Sequence, residues 1–380
     1  MTKQVQHPIQ YSKLRDSLQD SARHRPTYKR RSIPTLSSIS TSKLASIVSL
    51  LICIMILYGA LFAIPSGAAP KPAAPVKLSR VVGRSRTGVR GPKSPPSRKT
   101  VAPTQKLMPK ISHGVLSPCA NGSVLNIVAH EDDDLLFINP VLQQEITAGM
   151  CMRTVYVTAG DDGQAAAYWQ ERELGPDAAY AAMAGMPDVW QDTTLVLNGY
   201  SMQLHTLSGD PQISLVFLRL PDGGLQGQGF PSTGYVSLQK LRDGEIASIE
   251  TIDDSGSYTA DSLVAQLSAL MTLSQPTVIN TQAYSSELAM GDHADHQAVG
   301  YFTSLAAQTY HGQATLHRFI GYQLNGMLPN LDSAQAATKQ AAFDAYMQHD
   351  SMICTPSGCG NSRTYTGYMD REYEQTVLGP

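Results

Sequence analysis

The chain has 380 residues, of which 42% are apolar, 16% charged and 7% aromatic, enough for one large globular domain or two modest ones and unlike collagen, a wholly disordered chain or a multi-span membrane protein. The net charge of -2 conceals a split: residues 1–110 hold 20 of the 29 Lys and Arg but 2 of the 31 Asp and Glu, leaving 9 and 29 for residues 111–380. A basic arm therefore precedes an acidic body whose scattered cations offer no footprint for nucleic acid.

The arm divides into a basic tail, residues 1–43, an apolar run, residues 44–64, and a Pro-rich basic linker, residues 65–115. From Leu44 to Ile64 there is no charge, and at ~1.5 Å per residue such a run spans about 31 Å, the thickness of a bilayer's hydrocarbon core. Lys3, Lys13, Arg15, Arg23, Arg25, Lys29, Arg30, Arg31 and Lys43 precede it against Asp16 and Asp20. That bias predicts a single-pass transmembrane helix with the N-terminus cytoplasmic and the body outside the cell membrane. Ser66-Gly67-Ala68-Ala69 suits a signal peptidase, so a cleaved signal and a secreted body are the rival reading, although the run exceeds an ordinary signal core. The linker lacks apolar periodicity and reads as an extended spacer.

Four cysteines lie in the body, and an even count in an exported domain suggests disulfides. The short Cys354 to Cys359 loop is the easiest pair to credit, which leaves Cys119 with Cys151. A four-thiolate zinc site is the alternative, but two close Cys-x-x-Cys pairs are missing.

Residues 116–380 read as one domain. Strands are predicted at 124–129, 154–158, 194–197, 215–220 and 278–281, rich in Val, Ile and Leu. Helices are predicted at 135–148, 165–184, 261–273, 296–307 and 333–348. Strands alternating with helices predict an α/β fold, a Rossmann-like, mostly parallel sheet flanked by helices, with its ligand site outside the carboxyl ends of the strands. The glycine-rich stretch 223–234 reads as a mobile surface loop.

Two clusters carry chemistry. Directly after the first strand, Ala129-His130-Glu131-Asp132-Asp133-Asp134 gathers an imidazole and four carboxylates, which repel one another unless a cation or water intervenes. A solvated acidic first turn of a helix would account for the carboxylates alone. The late cluster Gly291-Asp292-His293-Ala294-Asp295-His296 follows the last predicted strand and falls on the same sheet edge. His130, one carboxylate and one late histidine can then meet around a metal, and two His with one carboxylate is a zinc-hydrolase ligand set that leaves a position for water.

At these residues the body resembles the PIG-L or LmbE-like family of zinc-dependent de-N-acetylases. The family's first motif, Ala/Pro-His-Pro-Asp-Asp, reads here as Ala129-His130-Glu131-Asp132-Asp133, and its late His-Pro-Asp-His reads as His293-Ala294-Asp295-His296. Thr158-Ala159-Gly160-Asp161-Asp162-Gly163 and Leu220-Pro221-Asp222-Gly223 echo further family turns, and Arg172-Glu173 stands where the family's Arg and Glu open a helix. The resemblance implies that His130, Asp133 and His296 bind Zn2+, and that Asp132 is the general base for the attacking water. It further implies that a positively charged His293 stabilises the oxyanion and passes a proton to the leaving amine, that Asp295 orients it or raises its pKa, and that Arg172 helps hold the site or the substrate. Glu131 and Asp134 receive no role. Proline is missing from both motifs, which removes a fixed φ rather than a ligand.

These readings predict a hydrolase that removes an acetyl group from an N-acetylglucosamine-type amino sugar in a glycoconjugate or glycolipid. The rival from another class is a non-catalytic carbohydrate-binding surface protein on the same scaffold, and a third is a calcium-stabilised adhesion domain, for which no Asp-x-Asp-x-Asp-Gly loop is found.

Overall fold

A computed structural model of the chain describes residues 111–113, 116–285 and 289–375. The tail, the apolar run from Leu44 to Ile64 and nearly all of the linker lie outside the described residues. Among the described residues no helix is long and apolar enough to cross a membrane.

The strands are β1 (Ile111–His113), β2 (Ser123–Val128), β3 (Cys151–Thr158), β4 (Trp190–Leu197), β5 (Tyr200–Leu207), β6 (Ile213–Leu220), β7 (Ile249–Glu250), β8 (Ser257–Tyr258), β9 (Val278–Gln282) and β10 (Thr315–Phe319). Eight of them form one sheet in the order β1-β4-β5-β6-β3-β2-β9-β10, while β7 and β8 pair separately. From β6 to β10 all neighbours are parallel, and β1, β4 and β5 extend the sheet in antiparallel fashion. The mostly parallel α/β architecture read from the sequence is therefore present, with an antiparallel flank added.

Parallel strands must be covered on both faces, and β2 shows the consequence in its own sequence, since all six of its residues are buried. Val124 and Val128 join a core on one face with Phe137, Tyr180 and Phe343. Leu125 and Ile127 point the other way, into a core with Leu267, Leu270, Val299 and Phe302. The first face is covered by α1 (Asp133–Phe137), α2 (Val141–Thr147), α4 (Leu174–Ala184) and α8 (Ser333–Tyr346); α3 (Ala166–Arg172) leads into α4. The second face carries α5 (Leu238–Arg242), α6 (Ala260–Ser274) and α7 (Ala294–Thr309). α6 begins with a full capping box between Thr259 and Ser262.

The chain leaves β2 towards β3 on one side and reaches β9 on the other, so the strand order reverses between β2 and β9. That reversal is the topological switch point at which α/β sheets hold their ligands. Both chemistry-bearing clusters follow these two strands.

Two expectations need correction. The helix expected at 135–148 is two, α1 and α2, because Pro140 has no N–H to continue the first. The helix expected at 165–184 breaks at Glu173, since Pro176 cannot donate to the carbonyl of Arg172. Stretch 223–234 is a surface loop, as expected, with part of it turned inward: Gly223, Gly224, Gly227 and Gly229 are buried, and Gly229 N–H donates to Gly223 O at 2.6 Å. Strands β1, β5, β7, β8 and β10 were not expected at all. Both proposed disulfides, Cys119–Cys151 and Cys354–Cys359, are present.

Candidate metal centre and active site

β2 ends at Val128, and the chain turns at once. The turn is closed by its own carboxylate, with His130 N–H donating to Asp133 Oδ2 at 2.6 Å. Asp133 and Asp134 then occupy the first turn of α1, where backbone N–H groups favour negative charge. Opposite, α7 opens on His293, whose Nδ1 accepts from Asp295 N–H at 3.2 Å and so caps the helix. His296 follows in that first turn, fully buried.

These turns bring the two clusters into contact. His296 Nε2 lies 3.2 Å from His130 Nδ1 and 3.0 Å from Asp133 Oδ1, and His130 Nδ1 lies 3.2 Å from Asp133 Oδ2. Ligands held at about 2.0–2.1 Å in a tetrahedral shell stand roughly 3.3 Å from one another. Two imidazole nitrogens and a carboxylate at nearly that spacing, all buried, fit a divalent ion by position and by chemistry. Two further groupings share His130, one with His293 and His296 and one with Asp222, His293 and Asp295, each with ligating atoms within 4.8 Å of one another.

A second layer orients the first. Asp292 Oδ1 pairs with His296 Nδ1 at 2.9 Å and also accepts from the N–H groups of His293 and Tyr322 at 2.9 Å each. That bond places the His296 proton on Nδ1 and turns Nε2 inward as a ligand, as outer carboxylates do in metal sites. Across the ring of His130, Nε2 faces Asp295 Oδ2 at 3.5 Å and Asp222 Oδ2 at 3.7 Å. Asp295 is fixed by Gly223 N–H at 2.8 Å. The Asp295 carboxylate stands nearer to His130 Nε2 than to His293 Nδ1, which is 3.8 Å from Oδ2.

Charge within the cluster follows from these contacts. Burial alone would raise the pKa of Asp133, but the imidazoles of His296 and His130 outweigh it and hold the carboxyl well below its usual range. Burial would lower His296, yet Asp133 and Asp292 raise it to about 10. Burial, together with the neighbouring His130 and His296, pushes the pKa of His293 down. With Nδ1 accepting, a neutral His293 presents Nε2–H as a donor.

Asp132 lies beside the centre with its Oδ1 accepting from Arg172 Nη2 at 2.8 Å. Burial raises its pKa and Arg172 pulls it partway back. Arg172 also donates through Nη1 to Gly160 O at 2.6 Å and through Nε to Tyr346 Oη at 2.7 Å, with Asp350 Oδ2 at 3.3 Å from Nε. It stands on the wall of the cleft, and its donors are engaged with protein acceptors. Glu131 packs behind it, 3.6 Å from Nε, and burial raises the Glu131 pKa to about 8. Asp134 faces away from the centre and accepts from Tyr156 at 3.0 Å and Tyr180 at 2.5 Å.

His130, Asp132, Arg172, Asp222, His293 and Tyr322 line a cleft of about 460 Å³, to which Leu225, Asp350, Met352 and Tyr365 also contribute. Leu225 sits in the packed glycine loop, and its carbonyl accepts from Ala294 N–H at 3.1 Å. A proline at 294, as in the family motif, could not donate that bond. Sequence reading passed over Asp292, although it adjoins His293, and over Asp350 and Tyr346, which come from α8 and the segment after it.

The fold and the site define an α/β domain with a buried His/Asp group that can hold a metal ion. Residues 125–307 match the family model described as PIG-L: GlcNAc-PI de-N-acetylase. The domain over those residues is therefore a PIG-L domain, that of a de-N-acetylase, an amide hydrolase. No curated protein sequence matches the chain. Similar solved structures include a zinc-inhibited teicoplanin deacetylase, at 15% identity over 64% of this chain and 90% of that one with a TM-score of 0.37. The A40926 pseudoaglycone deacetylase is 14% identical over 67% and 95%, with a TM-score of 0.38. The N,N'-diacetylchitobiose deacetylase of Pyrococcus horikoshii is 12% identical over 65% and 75%, with a TM-score of 0.36.

Proposed function

We propose that the chain is a zinc-dependent enzyme that removes the acetyl group from an N-acetylglucosamine-type amino sugar carried on a glycoconjugate or glycolipid. The observation that carries this reading is the spacing of His130 Nδ1, Asp133 and His296 Nε2, at 3.0 to 3.2 Å from one another, with the Asp132 carboxylate at the same turn. A divalent ion bound there supplies Lewis acidity and lowers the pKa of a coordinated water from ~15.7 towards about 7.

The chain's own residues do the rest. Asp132, held by Arg172, accepts the proton of the attacking water. His293 donates from Nε2 to the oxygen on which negative charge develops. A proton must reach the departing amine, and Asp132, having just received one, stands in the same cleft as His293. Arg172 acts here as a positioning residue rather than as a contact to the sugar. Asp222 and Asp295 keep His130 oriented.

The reading extends to the arm. The charge-free run from Leu44 to Ile64 behind nine cations supports a single-pass anchor that leaves the enzyme outside the cell membrane, and two disulfides in the body suit that compartment. Acetate release from a panel of N-acetylglucosamine conjugates, with and without a chelator, tests the function. Release that a chelator abolishes and zinc restores supports it, and release indifferent to chelation removes the metal from the account.

A further inference from the structure

Tyr322 lines the cleft with Asp132 and His293, yet it lies beyond residues 125–307, where the family match ends. It opens the turn Tyr322–Gly326 that follows β10. Its backbone N–H donates to Asp292 Oδ1 at 2.9 Å, the same oxygen that pairs with His296 Nδ1. Gly321 permits this approach, because a Cβ on that residue would collide with Asp292 Oδ2. The ring is fixed as well. It meets His296 with centroids 4.9 Å apart and planes at 72°, packs against Phe137 at 6.0 Å and Tyr368 at 6.3 Å, and has His293 6.2 Å away.

Tyr322 is 36% exposed, so a substrate in the cleft can reach it. Its hydroxyl has no hydrogen-bond partner among the described residues, whereas the Tyr168 and Tyr346 hydroxyls donate to Asp350 at 3.2 and 3.0 Å. Burial, with the nearby carboxylates of Asp132 and Asp133, pushes the Tyr322 pKa up, so the phenol stays a donor. A donor fixed by packing and left unengaged beside the metal centre suits a reaction that builds charge on an oxygen, since nothing has to reorganise when the charge appears.

We propose that Tyr322 is a further catalytic residue, its hydroxyl donating, together with His293 Nε2–H, to the acetamide oxygen as negative charge develops there. The proposal rests on the deacetylase reading and adds to it a group from outside the family motifs.

Tyr322→Phe removes the hydroxyl and keeps the ring. In the full chain it is expected to leave zinc content, melting temperature and KM for an N-acetylglucosamine conjugate unchanged while kcat falls about 10²-fold, the usual cost of losing one such donor. A second measurement does not depend on turnover. Acetate carries a charged oxygen where the amide substrate carries a neutral one, so its saturable effect on the melting temperature of the zinc-loaded chain weakens several-fold in Tyr322→Phe, while the effect of N-acetylglucosamine stays the same. A wild type that releases no acetate from any conjugate removes the deacetylase reading, whereas an active wild type matched in kcat by Tyr322→Phe removes only the role of Tyr322. A rise in KM alone, a loss of zinc, or equal acetate responses in the two proteins likewise overturns that role.

Discussion

Arg172 reaches from the end of α3 to donate to Asp132 at 2.8 Å, so the carboxylate proposed as base is held by a residue 40 positions further along the chain. Three of the groups that Arg172 serves, Asp132, Gly160 and Tyr346, come from different elements. Lysine cannot reproduce a planar fork that donates in three directions. Arg172→Lys is expected to leave metal content and KM nearly unchanged while kcat falls by about 10²-fold, the cost of a base misplaced by roughly 1 Å. Steady-state kinetics with metal analysis checks this, and an increase in KM alone would return Arg172 to the substrate.

Asp292 governs the metal through His296. Asp292→Asn keeps the shape but replaces the carboxylate that partners Nδ1 at 2.9 Å. Loss of such an outer carboxylate costs about 10 to 100-fold in metal affinity. Competition with a zinc-buffering chelator measures it, and an unchanged affinity contradicts the role given to Asp292.

Ala294 is where this chain departs most usefully from its family's motif. Its N–H ties Leu225, and with it the glycine loop, to the start of α7. Position 294 is the first residue of that helix, and His293 before it is extended at φ -56° and ψ 139°, so proline is accommodated there. Ala294→Pro should fold normally yet raise KM by roughly fivefold, the worth of one hydrogen bond, with kcat little changed.

How much of this was legible in the sequence follows from locality. Each of the two motifs is a single tight turn at a strand's end, so its residues meet by adjacency, and the parallel order of buried Val, Ile and Leu strands brings the turns together. Asp350 and Tyr346 reach Arg172 only through the packing of α8 against α4, which no local spacing records. Strand β5 was missed because Gln203 and His205 interrupt its apolar pattern, and the first half of β4 because Gln191, Asp192 and Thr193 are exposed.

Away from the centre, His205 gives the fold a pH dependence. Burial lowers its pKa, but the hydrogen bonds to Asp177 at 3.0 and 3.1 Å and that residue's charge outweigh burial and raise it above 6.5. A raised folded pKa gives a contribution that is complete below about pH 6.5 and is lost as pH rises through the folded value. Urea midpoints of the wild type and His205→Gln should therefore differ most at pH 6 and converge as the pH is raised. A difference that grows with pH refutes the assignment.

The most direct test of the central claim is the zinc content of the purified full chain and of His296→Ala, measured after equilibration in a zinc buffer. One ion per wild-type chain, lost from His296→Ala and retained by Asp132→Asn despite its absent acetate release, is the result the account predicts. Equal zinc in wild type and His296→Ala, or undiminished turnover by Asp132→Asn, would contradict it.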